Sequence, residues 1–434
     1  MIARIAGCVA VALALPAFAG PPHEAMGARK SFSPYRVHNL SSLGGTDGSG
    51  NSINNQSLVA GYSTVEGDTA RHATLWLYGF KFDLGTLGGP NSNVAWPVKN
   101  TRGLIAGIAQ TSMPEPLGEN WSCSAFFAPS TSTGYICLGV VWENGQIRAL
   151  PTLGGFNGFA TGANDKRQIV GWAENTVDDP TCIPPQRRQF RAVLWGPGED
   201  EMRELPPLPG DSTSAATAIN DKGQVVGISG ACGTAVGAVS AEHAVIWEKG
   251  RVKEIGDLGG VAWNTPMAIN ERGDVVGFSN VSAEDGDAFN AQAFLWTREK
   301  GIRGLGTLPG DSMSQALGIN ERRQIVGLSC TAGFASCRAF IWENGVMRDL
   351  NELVEPGYAD HFYTANDIND DGEITGQAVL AETQGNVAYL AIPTKHRGKS
   401  SHSASRSHAA TPLPAAVRQE LLQQLGLSQA RFAK

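Results

Sequence analysis

The sequence predicts an all-β chain folded as a seven-bladed β-propeller of four-stranded antiparallel blades, with the ring closed by the N-terminal strand. Three observations carry this. A unit of about fifty residues recurs seven times between positions 35 and 393. Each unit resolves into four short extended runs, a to d. The first and last units are incomplete in complementary ways. Periods of 20–50 residues mark solenoids, propellers or arrays, and four antiparallel strands per unit describe a propeller blade. A β-helix coil is much shorter, and the 3.6-residue period of helical repeats is absent.

The clearest copy runs Leu308 to Asn320, then Gln324 to Ser329, Arg338 to Trp342 and Gly345 to Leu350. The Asn that ends run a recurs at 54, 100, 164, 220, 270, 320 and 369, with spacings of 46, 64, 56, 50, 50 and 49. The Gly of run b recurs at 61, 107, 171, 227, 277, 327 and 376. The Trp of run c stands at 76, 142, 195, 247, 296 and 342, with Leu390 in the seventh copy. Runs b and c are continuously apolar and rich in β-branched and aromatic residues, as expected of strands covered on both faces. The a–b link reads Asn-Asp/Glu-x-Gly at 220–223, 270–273 and 369–372: Asn caps its own turn and Gly supplies a positive φ. Ser57, Arg167 and Arg323 replace that Gly in three copies, at some cost in strain. Asn144-Gly145 and Asn344-Gly345 give the c–d link a two-residue hairpin signal.

At the ends, Tyr35 to Leu40 matches run d before any a–c set has occurred, and the last copy stops after Ala388 to Ile392, its run c. The first strand therefore completes the last blade and removes exposed sheet edges. A count of six or eight blades stays open should copy 2 or copy 7 be degenerate.

The units resemble the HAF repeats of extracellular bacterial proteins, named for a His-Ala-Phe triplet opening the third run. That position reads His72-Ala-Thr, Arg191-Ala-Val, His243-Ala-Val, Gln292-Ala-Phe and Arg338-Ala-Phe here. The surrounding Leu-Gly-Thr-Leu-Gly-Gly at 84–89, Ile-Asn, Val-Val-Gly-x-Ser and Phe-Leu-Trp agree, over about 40–393. The resemblance implies a secreted repeat protein of no established biochemical activity. It supplies no catalytic residues.

Composition and address agree. Gly 53 and Pro 23 of 434 residues stay below the roughly 25–30 % of Gly plus Pro that marks low complexity, and 42 % hydrophobic residues suffice to fill a core. A net charge of −7 argues against a nucleic-acid groove, which needs a basic face. Residues 1–19 carry Arg4, an apolar stretch from Ile5 to Leu15 and Ala17-Phe18-Ala19, the marks of a secretory signal peptide. Residues 20–34 form a leader segment and 35–393 the propeller; beyond residue 19 no apolar stretch is long enough to span a membrane as a helix. The expected location is periplasmic or extracellular, and the expected state a monomer.

Without Cys8, which the signal removes, six cysteines are left: Cys123, Cys137, Cys182, Cys232, Cys330 and Cys337. An even count in an exported chain reads as disulfides; fifteen pairings are possible, and spacing alone does not choose. All six fall in the b–c links, which are long and irregular, whereas the a–b and c–d links at the other end are tight. The simplest pairing staples Cys123 to Cys137 and Cys330 to Cys337 within single loops and ties neighbouring blades through Cys182 and Cys232. Variable loops on a rigid scaffold carry function, so the end bearing the b–c and d–a loops is the expected binding face. Its candidate residues are Trp121, Phe156, Phe159, Trp263, Asn264, Phe334 and Tyr358, rings and amides suited to stacking on a sugar or anchoring a protein. The bland alternative, rings that fill blade ends, stays open. The six repeat Trp residues and Trp172 read as core.

No catalytic signature emerges. Gly210-Asp-Ser212 and Gly310-Asp-Ser312 occupy one repeat position and read as turns. Asp367, Asn369 and Asp371 match the first half of a calcium loop, but its twelfth position is Ala378 where a bidentate Glu is needed. No cofactor and no other metal site is expected. The reading is a non-catalytic binding module for a carbohydrate or protein partner; the alternative is a polysaccharide-active hydrolase or lyase with its site in the central depression. Residues 394–434 form a basic tail, with seven Lys/Arg against one Glu. It reads as a Ser/His-rich linker followed by a short helical pattern from Pro414 to Leu425, expected as a frayed solvated end, with docking on the acidic ring or on an anionic cell surface as the alternative.

Overall fold

The computed structural model describes residues 34–119, 122–127, 130–198, 201–235, 237–394 and 411–425. The expected signal peptide and most of the leader segment lie outside them, as does Trp121. Seven four-stranded antiparallel sheets follow one another as blades over 44–83, 88–149, 154–205, 213–254, 265–306, 313–349 and 361–393. Within the first six, the strands run in sequence order from the channel outward. The seventh blade holds three strands of its own, and Tyr35–Asn39 pairs antiparallel with Asn386–Pro393 as its fourth, in the register Tyr35↔Pro393 to Asn39↔Tyr389. Thr394 N also donates to Pro34 O at 2.8 Å. The ring is closed as the sequence predicts.

Each repeat residue has a backbone reason. Strand a carries a register shift in most blades, as between Ala216 and Ala218 or Pro266 and Ala268. The shift brings a strand-a carbonyl onto the run-b Gly: a Cβ there would lie 2.0 Å from Ala215 O at Gly227 and 2.1 Å from Thr265 O at Gly277. Only glycine fits that approach. The repeat Trp side chains are buried between blades, and Trp76, Trp195 and Trp247 donate Nε1–H to the carbonyls of Ser41, Pro151 and Pro206, fixing the strand that enters each blade. The first residue of the third run reaches an acidic residue of strand d, as in His72–Asp83 at 2.8 Å and His243–Glu254 at 3.1 Å.

The repeat Asn does more than cap its turn. Asn220 Oδ1 accepts the N–H groups of Lys222 and Gln224 at 3.1 and 3.0 Å, while its Nδ2 donates to Asn270 O of the next blade at 3.0 Å. The same bridge leaves Asn54, Asn164, Asn270, Asn320 and Asn369, the last returning to Asn54. Asn100 instead bonds Leu104 O in its own turn, and there Thr101 N–H donates to Asp165. Ser57, Arg167 and Arg323 adopt φ of 58°, 60° and 59°, the conformation Gly supplies elsewhere.

Disulfides join Cys123 to Cys137, Cys182 to Cys232 and Cys330 to Cys337. The tail differs from the solvated end expected of it: Ala415–Gln424 is a helix with Val417, Leu421 and Leu422 buried. Those side chains and Leu413 pack against Phe334, Met267 and Tyr363. The sequence shows the apolar stripe of this helix but not the surface that receives it.

Candidate functional site

The a strands line the central channel, and their alternation points every second residue inward. Positions three and five before the repeat Asn therefore face one another across the ring. At the b–c end they form, with neighbouring loops, a cavity of about 140 Å³. One wall is aromatic: Trp96 packs edge-on against Phe126, Phe159 and Trp172 at centroid distances of 5.3, 5.5 and 5.9 Å. Facing it stands Trp263, fixed by Nε1–H donation to Asp287 O at 2.7 Å and by an edge contact with Phe289. The rest of the lining mixes apolar side chains, among them Ile228, Met267, Leu317 and Leu328, with the amides and hydroxyls of Asn51, Thr217, Thr265, Gln315, Asn366 and Gln377.

Several of these polar groups are spent on the wall itself. Asn366 Nδ2 donates to Asn51 Oδ1 at 2.8 Å, and Asn51 Nδ2 to Val94 O at 2.7 Å. Four are not. Asn93 Oδ1, Trp96 Nε1, Trp172 Nε1 and Thr265 Oγ1 are buried with no hydrogen-bond partner among the described residues, and all four residues line the cavity. Buried polar atoms are nearly always bonded; unbonded ones also occur away from the cavity, as at Trp142 Nε1 and Arg338 Nε, and what sets these four apart is that their residues share one cavity.

At the rim of the cavity, blade 1 gathers a charged cluster. Asp47 and Tyr62 lie on its first two strands and Arg71 opens its third. The Arg71 guanidinium stacks over the Tyr62 ring at 4.5 Å and donates to Asp47 at 2.9 Å. The tail helix adds Glu420, whose carboxylate lies 3.0 Å from Arg71 Nη2 and accepts the Tyr62 hydroxyl. Burial first and the Glu420 charge second push the Asp47 carboxyl up to about 7, against the pull of Arg71. Burial holds the Tyr62 hydroxyl well above its ordinary range. The cluster thus offers a guanidinium for an anion and a carboxyl that exchanges its proton near neutrality. The helix covers this end: Leu421, Gln424 and Leu425 line the cavity, Gln423 donates to Ser124 O at 2.7 Å, and Arg418 donates to Gly333 O at 2.8 Å.

The structure brings one of the predicted site residues, Trp263, into the cavity. Phe159 stands behind it as a fully buried support for Trp96 and Trp172. Asn264 is buried and bonded to Glu242 O, Gly260 O and Ser279, which makes it a loop anchor. Phe334 is covered by the tail helix. Tyr358 donates to Asn39 at the ring closure and stacks on Phe362 at 5.0 Å. Phe156 is half-buried, away from the cavity lining. The residues missed, Trp96, Tyr62, Asn93 and Gln377, all sit inside repeats; Tyr62 and Gln377 share one repeat slot, directly after the run-b Gly, which Trp172 also fills.

The calcium candidates do not point at a common centre. Asp367 is fully buried, paired with Lys99, and accepts Ile53 N–H at 2.8 Å. Asn369 Oδ1 caps its own turn by accepting Asp371 and Glu373 N–H groups. Asp211, Glu242 and His243 form the one three-ligand group among the described residues, with ligand atoms within 4.8 Å, on the outer part of blade 4. His243 there is already bonded to Glu254. A second carboxyl pair, Glu119 and Glu174, is buried under the third blade's b–c loop.

No family model and no curated protein matches the chain. Among solved structures, the Trypanosoma rangeli sialidase is similar at 10 % identity and a TM-score of 0.38, over 72 % of this chain and 56 % of that one. The polysaccharide lyase Uly1 is similar at 10 % identity and a TM-score of 0.41, over 86 % of this chain and 94 % of that one. A structural-genomics protein of unknown function from Bacteroides thetaiotaomicron is similar at 9 % identity and a TM-score of 0.33. The chain spans just over half the length of the sialidase, and likenesses this distant leave the reading of the site to its own geometry.

Proposed function

We propose that the protein is an exported binding module that takes a carbohydrate into the cavity at the b–c end of its channel. The observation that carries this is the set of four buried, unbonded polar atoms of Asn93, Trp96, Trp172 and Thr265 in a cavity walled by indole rings. Sugar hydroxyls satisfy such atoms, and sugar C–H faces pack on such rings. A protein partner fits less well, because the cavity is narrow and recessed. Three disulfides suit an oxidising compartment, and the likeness to extracellular HAF repeats supports the same address.

A second reading has one observation in its favour. The Asp47 carboxyl, held near 7 beside the Tyr62 hydroxyl, is a group able to move a proton at neutral pH. Incubating the full chain with a panel of bacterial and plant polysaccharides separates the two. Retention of a polysaccharide without released oligosaccharides supports the binding module. Release that is lost in Tyr62→Phe makes the protein a polysaccharide-active enzyme.

A further inference from the structure

We propose that Arg71 and Tyr62 form a carboxylate seat for an acidic saccharide, and that Glu420 of the tail helix holds this seat as an internal stand-in. This rests on the carbohydrate reading and narrows it to uronic-acid-like ligands.

Glu420 is a carboxylate on a separate element, reaching Arg71 Nη2 at 3.0 Å and accepting the Tyr62 hydroxyl. It is not needed to neutralise Arg71, which Asp47 already pairs at 2.9 Å. Adding it places two carboxylates against one guanidinium, and the Asp47 carboxyl is raised by its burial first and by the Glu420 charge second. A scaffold built only to bury Arg71 would not carry that excess. Arg71 is 5 % exposed, and its Nε and Nη1 have no hydrogen-bond partner among the described residues. A guanidinium recognises carboxylates with two parallel N–H groups, yet Glu420 engages one nitrogen.

Tyr62 belongs to the cavity wall, while Arg71 and Glu420 stand behind it, outside the lining, so the Tyr62 ring is where the seat meets the space between Trp96 and Trp263. A sugar ring stacked there presents a pendant carboxylate to Arg71 and Tyr62 only if Glu420 withdraws. The helix that brings Glu420 also closes the cavity with Leu421 and Leu425. Ligand entry and helix release are therefore one event. The helix lowers apparent affinity by the fraction of molecules in which it is docked.

The test uses the full chain and two probes: galacturonic-acid oligosaccharides and their carboxyl-reduced neutral counterparts. Binding is measured by calorimetry, and helix release by amide hydrogen exchange over 415–424. In Glu420→Ala the acidic probe is expected to bind about tenfold more tightly than in the parent and about tenfold more tightly than the neutral probe. In Tyr62→Phe/Glu420→Ala, which keeps the ring under Arg71, that acid-over-neutral preference falls about fivefold or more. Saturating acidic probe speeds exchange across 415–424 in the parent. Equal binding of both probes in Glu420→Ala overturns the carboxylate seat and leaves the carbohydrate reading standing. Absence of binding by either probe in the parent, in Glu420→Ala and in Leu421→Asp, which releases the helix by another route, overturns both.

Discussion

Glu420 on the tail helix and Asp47 on the first blade meet at one guanidinium nitrogen: Arg71 Nη2 lies 3.0 Å from the former and 2.9 Å from the latter. One positive charge serves two carboxylates in a buried place, and one proton must make up the difference at low pH. The docking of the helix is thereby tied to the protonation of Asp47.

The sign follows from linkage. With the helix docked, Asp47 faces Arg71, Glu420, Tyr62, Tyr363 and Asn386, and its carboxyl is raised to about 7 by burial and by Glu420. Undocking removes Glu420 and admits water, so the carboxyl falls back. The docked state binds more protons below about 7, and docking weakens as pH rises through that value. Hydrogen exchange over 415–424, corrected for the intrinsic pH effect, is expected to be about tenfold faster at pH 8 than at pH 5.5. Asp47→Asn is expected to abolish the difference.

The buried pair beneath the third blade's loop behaves similarly. Glu174 is fully buried and accepts Phe156 and Asn157 N–H groups at 3.1 and 3.0 Å. Burial first, then the neighbouring Glu119 carboxyl, lifts its carboxyl to about 8. The folded chain keeps this proton over a range in which the unfolded chain, with an ordinary carboxyl near ~4.3, has lost it. Stability attributable to this group therefore declines as pH rises from about 4 and is lowest above about 8. Glu174→Gln keeps the acceptor without the charge. Thermal melts are expected to show it more stable than the parent at pH 9, by about 1–3 kcal/mol, and nearly equal at pH 5.

The repeat residues predict a ranking. Gly277→Ala drives a Cβ to 2.1 Å from Thr265 O, a clash with backbone that the sheet relieves only by shifting; the expected cost is about 3 kcal/mol or more. Asn270→Ala removes the bridge to Asn320 O and two turn bonds, at about 2 kcal/mol. Gly250→Ala meets open space and suffers only its φ of 75°, at about 1 kcal/mol. Denaturant midpoints in the order Gly250→Ala, Asn270→Ala, Gly277→Ala, from highest to lowest, are expected; the reverse order removes the account of the repeat.

The fold was legible because each repeated residue answers a local backbone demand, and local demands are written at fixed spacing. Asn, Gly and Trp recur because every blade needs the same cap, the same close approach and the same anchor. The disulfides were legible once the links were sorted to one end. The site was legible only at Trp263, which stands outside the repeat pattern. Trp96, Asn93 and Thr265 were hidden because they occupy a strand or the loop after it, where the eye expects scaffold. Positions three and five before the repeat Asn are polar at Asn51, Thr217, Thr265, Gln315, Thr364 and Asn366 but apolar at Ala95, Pro97, Phe159, Ala215, Met267 and Leu317, so the polar signal is confined to part of the ring. The docking of the tail helix was legible only as an alternative, since its neighbours come from blades 1, 2, 5, 6 and 7, far apart in sequence.

The most direct measurement is affinity electrophoresis of the full chain through gels containing each polysaccharide of the panel, beside Trp96→Phe, Thr265→Val and Asn55→Ala. The first two alter unbonded polar atoms of the cavity while preserving shape, and the third alters the opposite, Asn-ringed end of the channel. Retardation by at least one polysaccharide, weakened about tenfold by Trp96→Phe and Thr265→Val and untouched by Asn55→Ala, is the predicted result. Retardation lost in Asn55→Ala but kept in the two cavity variants contradicts the account, as does migration of the parent unchanged in every gel.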